Sequence, residues 1–102
     1  MRFFLLLCLG LVSSAVAEPL SEQRQAELQN MLNHDCGSCH GLPPKGGLGP
    51  SLLAADLSKR SDQLLFDAIQ NGRSGTPMPA WRPFLSPDEI YWIIARLRQP
   101  SH

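Results

Sequence analysis

Residues 36–40 read Cys36-Gly37-Ser38-Cys39-His40, two thiols three positions apart followed at once by an imidazole. No other stretch of the chain restricts its fold as much. C-x-x-C-H is the arrangement through which a c-type haem is attached. Two cysteines at this spacing can add across the neighbouring vinyl groups of one porphyrin, and the next residue then hangs its ring nitrogen beneath the iron. Gly37 and Ser38 are small enough to let the backbone lie against the macrocycle. Three plainer readings compete. A thioredoxin-like redox pair needs a βαβ setting, and the sequence carries no strand pattern to build one. A zinc site could draw on His34, Cys36, Cys39 and His40, but four ligands on one short stretch would be strained. A disulfide between Cys36 and Cys39 would close a very short loop and leave His40 without a role.

The chain has 102 residues, room for one domain. Arg2 is the only charge before Glu18; residues 3–12 are an apolar run, and Ser13 and Ser14 lead to the small-residue end Ala15-Val16-Ala17. These are the marks of a secretory signal peptide over residues 1–17, cut after Ala17. The apolar run falls short of the roughly 20 residues that span a bilayer, so the mature chain, residues 18–102, is expected to be exported without stable membrane association. A lipid anchor at Cys8 is disfavoured, because Leu7 stands where a small residue is needed. Residues 18–102 hold eight basic and nine acidic side chains. That balance disfavours nucleic acid, whose phosphates need a surplus of Lys and Arg. At this size a core alone is marginal and exported domains usually add a staple, here necessarily one using Cys36 and Cys39.

Ser21 and Glu22 open a helix that the periodicity of Leu28, Met31 and Leu32 carries to about Asn33. Residues 41–50 hold too many glycines and prolines for helix or strand and are expected to loop round a flat ligand edge. Ser61 and Asp62 open a second helix, which Asn71-Gly72 stops. The strongest helix signal is Ser86-Pro87-Asp88-Glu89, an N-cap, a proline at N1 and the glutamate of a capping box, ahead of the stripe Ile90, Ile93, Ile94 and Leu97. Pro100 ends it. The expected architecture is all-α, three to four short helices with long loops wrapped round one covalent haem.

The sixth iron ligand decides the chemistry, since five-coordinate haem binds gases and peroxide whereas six-coordinate haem mainly passes electrons. Met31 lies on the apolar stripe of the first helix, where core packing is the simpler role. Met78 is bracketed by Pro77 and Pro79, which stiffen an extended backbone and keep it out of either flanking helix. A thioether on such a mount suits haem iron from the face opposite His40. His34 sits on the attachment side of the ring, and His102 is terminal; neither has a comparable mount.

These residues resemble the class I cytochromes c, and the likeness runs from about Leu20 to Leu97 through Cys36 to His40, Gly49-Pro50, Asn71-Gly72, Met78-Pro79 and Leu85-Ser86. The resemblance implies that the first and last helices cross, setting Leu28, Met31 and Leu32 against Ile90, Ile93, Ile94 or Leu97. It also implies that the Pro50 carbonyl accepts the second ring N–H of His40. The compressed loop to Gly49-Pro50-Ser51-Leu52 and the turn Met78-Pro79-Ala80-Trp81 look like the small c55X-type cytochromes found with haem cd-type nitrite reductases in denitrifying bacteria. That likeness implies a monomeric periplasmic electron carrier, not an enzyme, with haem c on Cys36 and Cys39 and iron between His40 and Met78. Its implied partners are redox proteins such as nitrite reductase and an upstream quinol-oxidising complex or another cytochrome. Two other roles are open: redox support for maturation of the reductase's special haem, and a ligand-binding haem sensor or enzyme. One departure from the pattern is the early position of Tyr91 and Trp92 in the last helix, which leaves the helix-to-helix packing open.

Overall fold

In the computed structural model, which describes Gly10 and residues 19–100, the first helix starts at the N-cap Ser21. Its Oγ accepts the backbone N–H of Arg24 at 3.1 Å. Helix α1 spans Glu22–Met31, widens into a π-helical segment over Leu32–Cys36, and tightens again into α2, Gly37–His40. The helical run therefore continues to His40 instead of stopping near Asn33. No proline interrupts it, and the π segment absorbs one extra residue by letting the Gly37 N–H reach the carbonyl of Leu32. Continuity has a direct consequence: Cys36, Cys39 and His40 stand at i, i+3 and i+4 on helical backbone, the spacing that shares one face. Gly41, at φ +88°, then turns the chain sharply away.

Helix α3, Ala54–Leu57, is a single turn that no sequence signal announced. A helix so short has no stability of its own. It is held by burial of Leu57, only 1% exposed, and by Arg98, which donates to the carbonyls of Leu57 at 3.0 Å and Arg60 at 2.7 Å and pairs with Asp62 at 2.8 Å. Helix α4, Asp62–Asn71, begins at Ser61, whose Oγ accepts the Leu64 N–H at 3.1 Å. Helix α5, Pro87–Arg98, has the full capping box: Ser86 Oγ accepts from the Glu89 N–H at 3.2 Å, and Glu89 Oε1 accepts from the Ser86 N–H at 2.8 Å. Among the described residues every regular element is helical, and no helix is long and apolar enough to cross a membrane. The expected signal peptide, Gly10 apart, and His102 lie outside the described residues.

The core is the crossing of the first and last helices. Leu28 and Leu32 pack with Leu85, Ile90, Ile93 and Ile94, and Met31 and Leu97 close its edge. Burying each of these side chains contributes about 1.5–3 kcal/mol. Arg24 fastens the crossing from outside, donating to Glu89 on α5 and, at 2.8 Å, to Glu27 on its own helix. Arg96 of α5 returns a bond to Gln29 of α1 at 2.9 Å. The early aromatics of α5 also find their places: Tyr91 stacks on Phe66 of α4 at 4.7 Å between centroids, and Trp92 packs against the core.

Glu89 thus caps one helix and anchors another. The Arg24 guanidinium holds its carboxyl below the usual 4.5; partial desolvation opposes this, and the Ser86 amide adds to it. A carboxyl lowered on folding contributes stability that is complete above about pH 4.5 and is lost as the pH falls through its lowered value. Glu89→Gln, which keeps a capping side chain but removes the charge, should cost on the order of 1 kcal/mol at neutral pH. In urea denaturation of the haem-loaded protein, that difference from wild type should vanish once the medium is acid enough to protonate Glu89.

Candidate functional site

Between the helical turn of residues 36–40 and the loop carrying Met78 lies a cavity of about 390 Å³, within the roughly 300–1,000 Å³ typical of cofactor sites. Cys36, Cys39, His40, Pro50 and Met78 all line it. Its apolar wall is completed by side chains such as Leu52, Leu65, Ile69, Trp81 and Ile94. Met31 also reaches the cavity, from the same helical run as the cysteines, while packing against the core. His34 is exposed and does not contribute.

His40 is held from below. Its Nδ1 lies 2.7 Å from the Pro50 carbonyl oxygen. A carbonyl only accepts, so Nδ1 carries the proton and Nε2 keeps the lone pair that can meet a metal. The loop delivering Pro50 is tied to the end of α2 by its own amides: Gly46 N–H donates to His40 O at 2.9 Å and Gly49 N–H to Cys39 O at 2.8 Å. These are carbonyls that a helix end leaves without partners. Gly49 lies so close beneath the ring that a Cβ there would stand 2.6 Å from His40 Cε1 and 2.7 Å from Nδ1. Contact with the imidazole is a local reason for glycine at 49 that spacing alone does not reveal.

Met78 is half-buried and held by more than its two prolines. Its carbonyl accepts from the Arg73 N–H at 3.2 Å and its N–H donates to Thr76 Oγ1 at 3.3 Å. Three residues on, the Trp81 N–H returns to Ile69 O at 2.9 Å. Gly72, at φ +68°, lets this loop lie directly on the end of α4, since a Cβ there would be 2.7 Å from Met78 O. The sequence marked Gly72 only as a helix stop; its second role, close approach, depends on a loop that folds back.

The two thiols are not joined in a disulfide. Burial, and then the neighbouring Asp35 carboxylate, push the Cys36 thiol up to about 11, as expected of sulfur in an apolar wall. Among the described residues no three His, Cys, Asp or Glu side chains gather as a metal site, so the zinc alternative finds no geometry.

The family profile described as cytochrome C oxidase, cbb3-type, subunit III matches residues 23–95. Cytochrome c55X of Paracoccus denitrificans is 49% identical over 92 residues, which span 90% of this chain and 88% of that one. The chain belongs to this family of c-type cytochromes. Cytochrome c55X of Stutzerimonas stutzeri is 42% identical over 92% of this chain and 79% of its own. The solved c-type cytochrome NirC superposes with a TM-score of 0.75 at 43% identity, covering 78% of this chain and 93% of NirC. A second solved structure, dihydro-heme d1 dehydrogenase NirN in complex with DHE, matches at TM-score 0.66 and 29% identity over 72% of this chain and 16% of its own. The protein is therefore a small all-α electron-transfer cytochrome of the haem c type.

The residues at the cavity fit that group. Two thiols at helical i, i+3 spacing, an imidazole of fixed tautomer, a thioether and apolar walls make a donor set suited to a covalently held haem and to little else. Gly49→Ala should force the His40 ring or the Pro50 loop aside. We expect a loss of about 1–3 kcal/mol in urea denaturation of the holoprotein, accompanied by a change in its visible spectrum.

Proposed function

We propose that Cys36 and Cys39 anchor haem c through thioether bonds, that His40 and Met78 are its two axial ligands, and that the cytochrome passes single electrons in the periplasm after removal of residues 1–17. The observation that carries this reading is the placement of all four side chains on one cavity, with His40 Nδ1 bonded to Pro50 O at 2.7 Å. Haem c, when bound, supplies the one-electron Fe(III)/Fe(II) couple. The chain's own task is to hold the couple still. Pro50 orients the imidazole, and the hydrogen bonds of residues 73, 76 and 78 hold the thioether. Two donors held in place by the chain would let the bound group exchange one electron without rearranging the residues around it, which suits rapid transfer. No nucleophile or proton donor is needed.

The same reading sets this protein apart from a gas-binding sensor. The reduced wild-type cytochrome should keep its visible bands under carbon monoxide. Met78→Ala should keep its haem, acquire a carbonyl spectrum on mixing, and show a lower reduction potential, because methionine opposite histidine raises it. A prompt carbonyl spectrum from the wild type would refute methionine ligation.

As partner we propose nitrite reductase, supplied by a quinol-oxidising complex or another cytochrome, through brief contacts between monomers of the kind redox encounters use. The names of the c55X and NirC relatives support that association. The likeness to part of dihydro-heme d1 dehydrogenase favours a second role, redox support for maturation of the reductase's special haem. Deleting the gene and purifying the reductase separates the two: a full cofactor set with slowed electron delivery supports donation, and a reductase lacking finished haem supports maturation.

A further inference from the structure

Six arginines lie among the described residues, and four of them are committed to protein groups. Arg24 binds Glu89 and Glu27, Arg82 binds Asn71, Arg96 binds Gln29 and Gln99, and Arg98 binds Asp62 and two carbonyls. The guanidinium groups of Arg60 and Arg73 make no hydrogen bond to any described protein group, and these are the two arginines that line the cavity. No lysine lines it. Both residues are exposed to solvent as well as lining the cavity, and two guanidinium groups without a protein partner beside one apolar cavity suit an anionic group placed there.

The family's cofactor carries two such groups. The vinyl positions of a protohaem skeleton, where cysteine sulfurs add, lie on one side of the ring, and its two propionate carboxylates lie on the other. The cavity is charged to match. Asp35, the one acidic residue among the described lining, directly precedes Cys36, at the attachment edge. Arg60 and Arg73 belong to a different part of the chain: Arg60 immediately precedes the N-cap Ser61 and Arg73 follows the C-cap Gly72, at the two ends of α4. The ten residues of α4 that separate them rise about 15 Å, and both arginines nevertheless line the same cavity.

We propose that Arg60 and Arg73 bind the two haem propionates, one each, and thereby hold the reduction potential up. Uncompensated carboxylates favour the iron(III) form, which carries one more positive charge, and a guanidinium on each removes that bias. Planar, forked donors are also well shaped for carboxylates. The proposal rests on covalently bound haem c and not on the identity of the sixth ligand, which carbon monoxide tests separately.

The test uses holoprotein of wild type, the double variant Arg60→Gln/Arg73→Gln, the double variant Arg60→Lys/Arg73→Lys, and Arg82→Gln as an arginine control away from the cavity. Each is titrated spectroelectrochemically, and the propionate bending bands are read by resonance Raman spectroscopy. The glutamine pair should shift the oxidised-to-reduced ratio at a fixed electrode potential about tenfold toward the oxidised form and move the propionate bands. The lysine pair should recover most of the wild-type potential, and Arg82→Gln should match wild type in both measurements. The proposal is overturned if the glutamine pair keeps both the wild-type potential and the wild-type bands, if the lysine pair titrates as low as the glutamine pair, or if Arg82→Gln shifts the readings as far. Should the double glutamine variant not accumulate with haem, Arg60→Gln and Arg73→Gln are measured singly against the same criteria.

Discussion

The apolar cavity between the attachment turn and the methionine loop is the constraint on which the rest of the fold depends. All four helical runs among the described residues contribute to its wall, through residues such as Met31, Leu57, Ile69 and Ile94. Against this, the buried core among the described residues amounts to seven aliphatic side chains, of which Leu28 and Ile90 reach complete burial. A chain so sparsely buried draws much of its cohesion from apolar surface that a macrocycle covers, at about 25 cal/mol per Å². Cofactor and fold therefore form one thermodynamic unit: a covalently held haem stays on the chain when it unfolds, and the stabilisation comes from the apolar surface that haem and cavity hide from water in the folded state.

Precision at the site comes from the ends of helices. The carbonyls left over at the end of α2 accept amides from the glycine-rich loop, and the bonds that complete the helix also set Pro50 against His40. At the other wall, the end of α4 receives the Trp81 amide at Ile69 O and sets the chain that bears Met78. Two glycines in these contacts are required by closeness: Gly49 against an imidazole, Gly72 against a carbonyl. A side chain at either position would displace the group beside it by several tenths of an ångström or more. Hydrogen bonds and van der Waals limits thus hold the donor atoms on two loops that have no regular structure of their own.

The ion pairs between helices show how few charged groups a small fold can use to lock them. Glu89 closes the capping box of α5 and receives Arg24 from α1, while Arg98 closes α3 and pairs with the first turn of α4. Both arginines act across elements distant in sequence. Both are also partly sheltered, with side chains 31% and 29% exposed, which limits screening by salt. Arg60 and Arg73 differ from them in having no such protein partner, and that contrast gives them their interest.

Much of this was legible in the residues alone, because it depends on neighbours in sequence. The C-x-x-C-H spacing, the serine caps at 21, 61 and 86, the capping box and the two prolines round Met78 act over three or four positions, and the helices begin where those signals stand. The rest required the chain to fold back on itself. Nothing local foretold that a π segment would carry the first helix on to His40, because its wider turn is stabilised by packing and not by residue preference. Helix α3 exists only because Leu57 is buried and Arg98, forty-one residues later, reaches its last carbonyl. Which arginines would be spent on protein and which left facing the cavity was decided by distances between segments far apart in sequence. Short-range patterns determine which elements form and which chemistry they carry; only the tertiary contacts decide which of those groups meet.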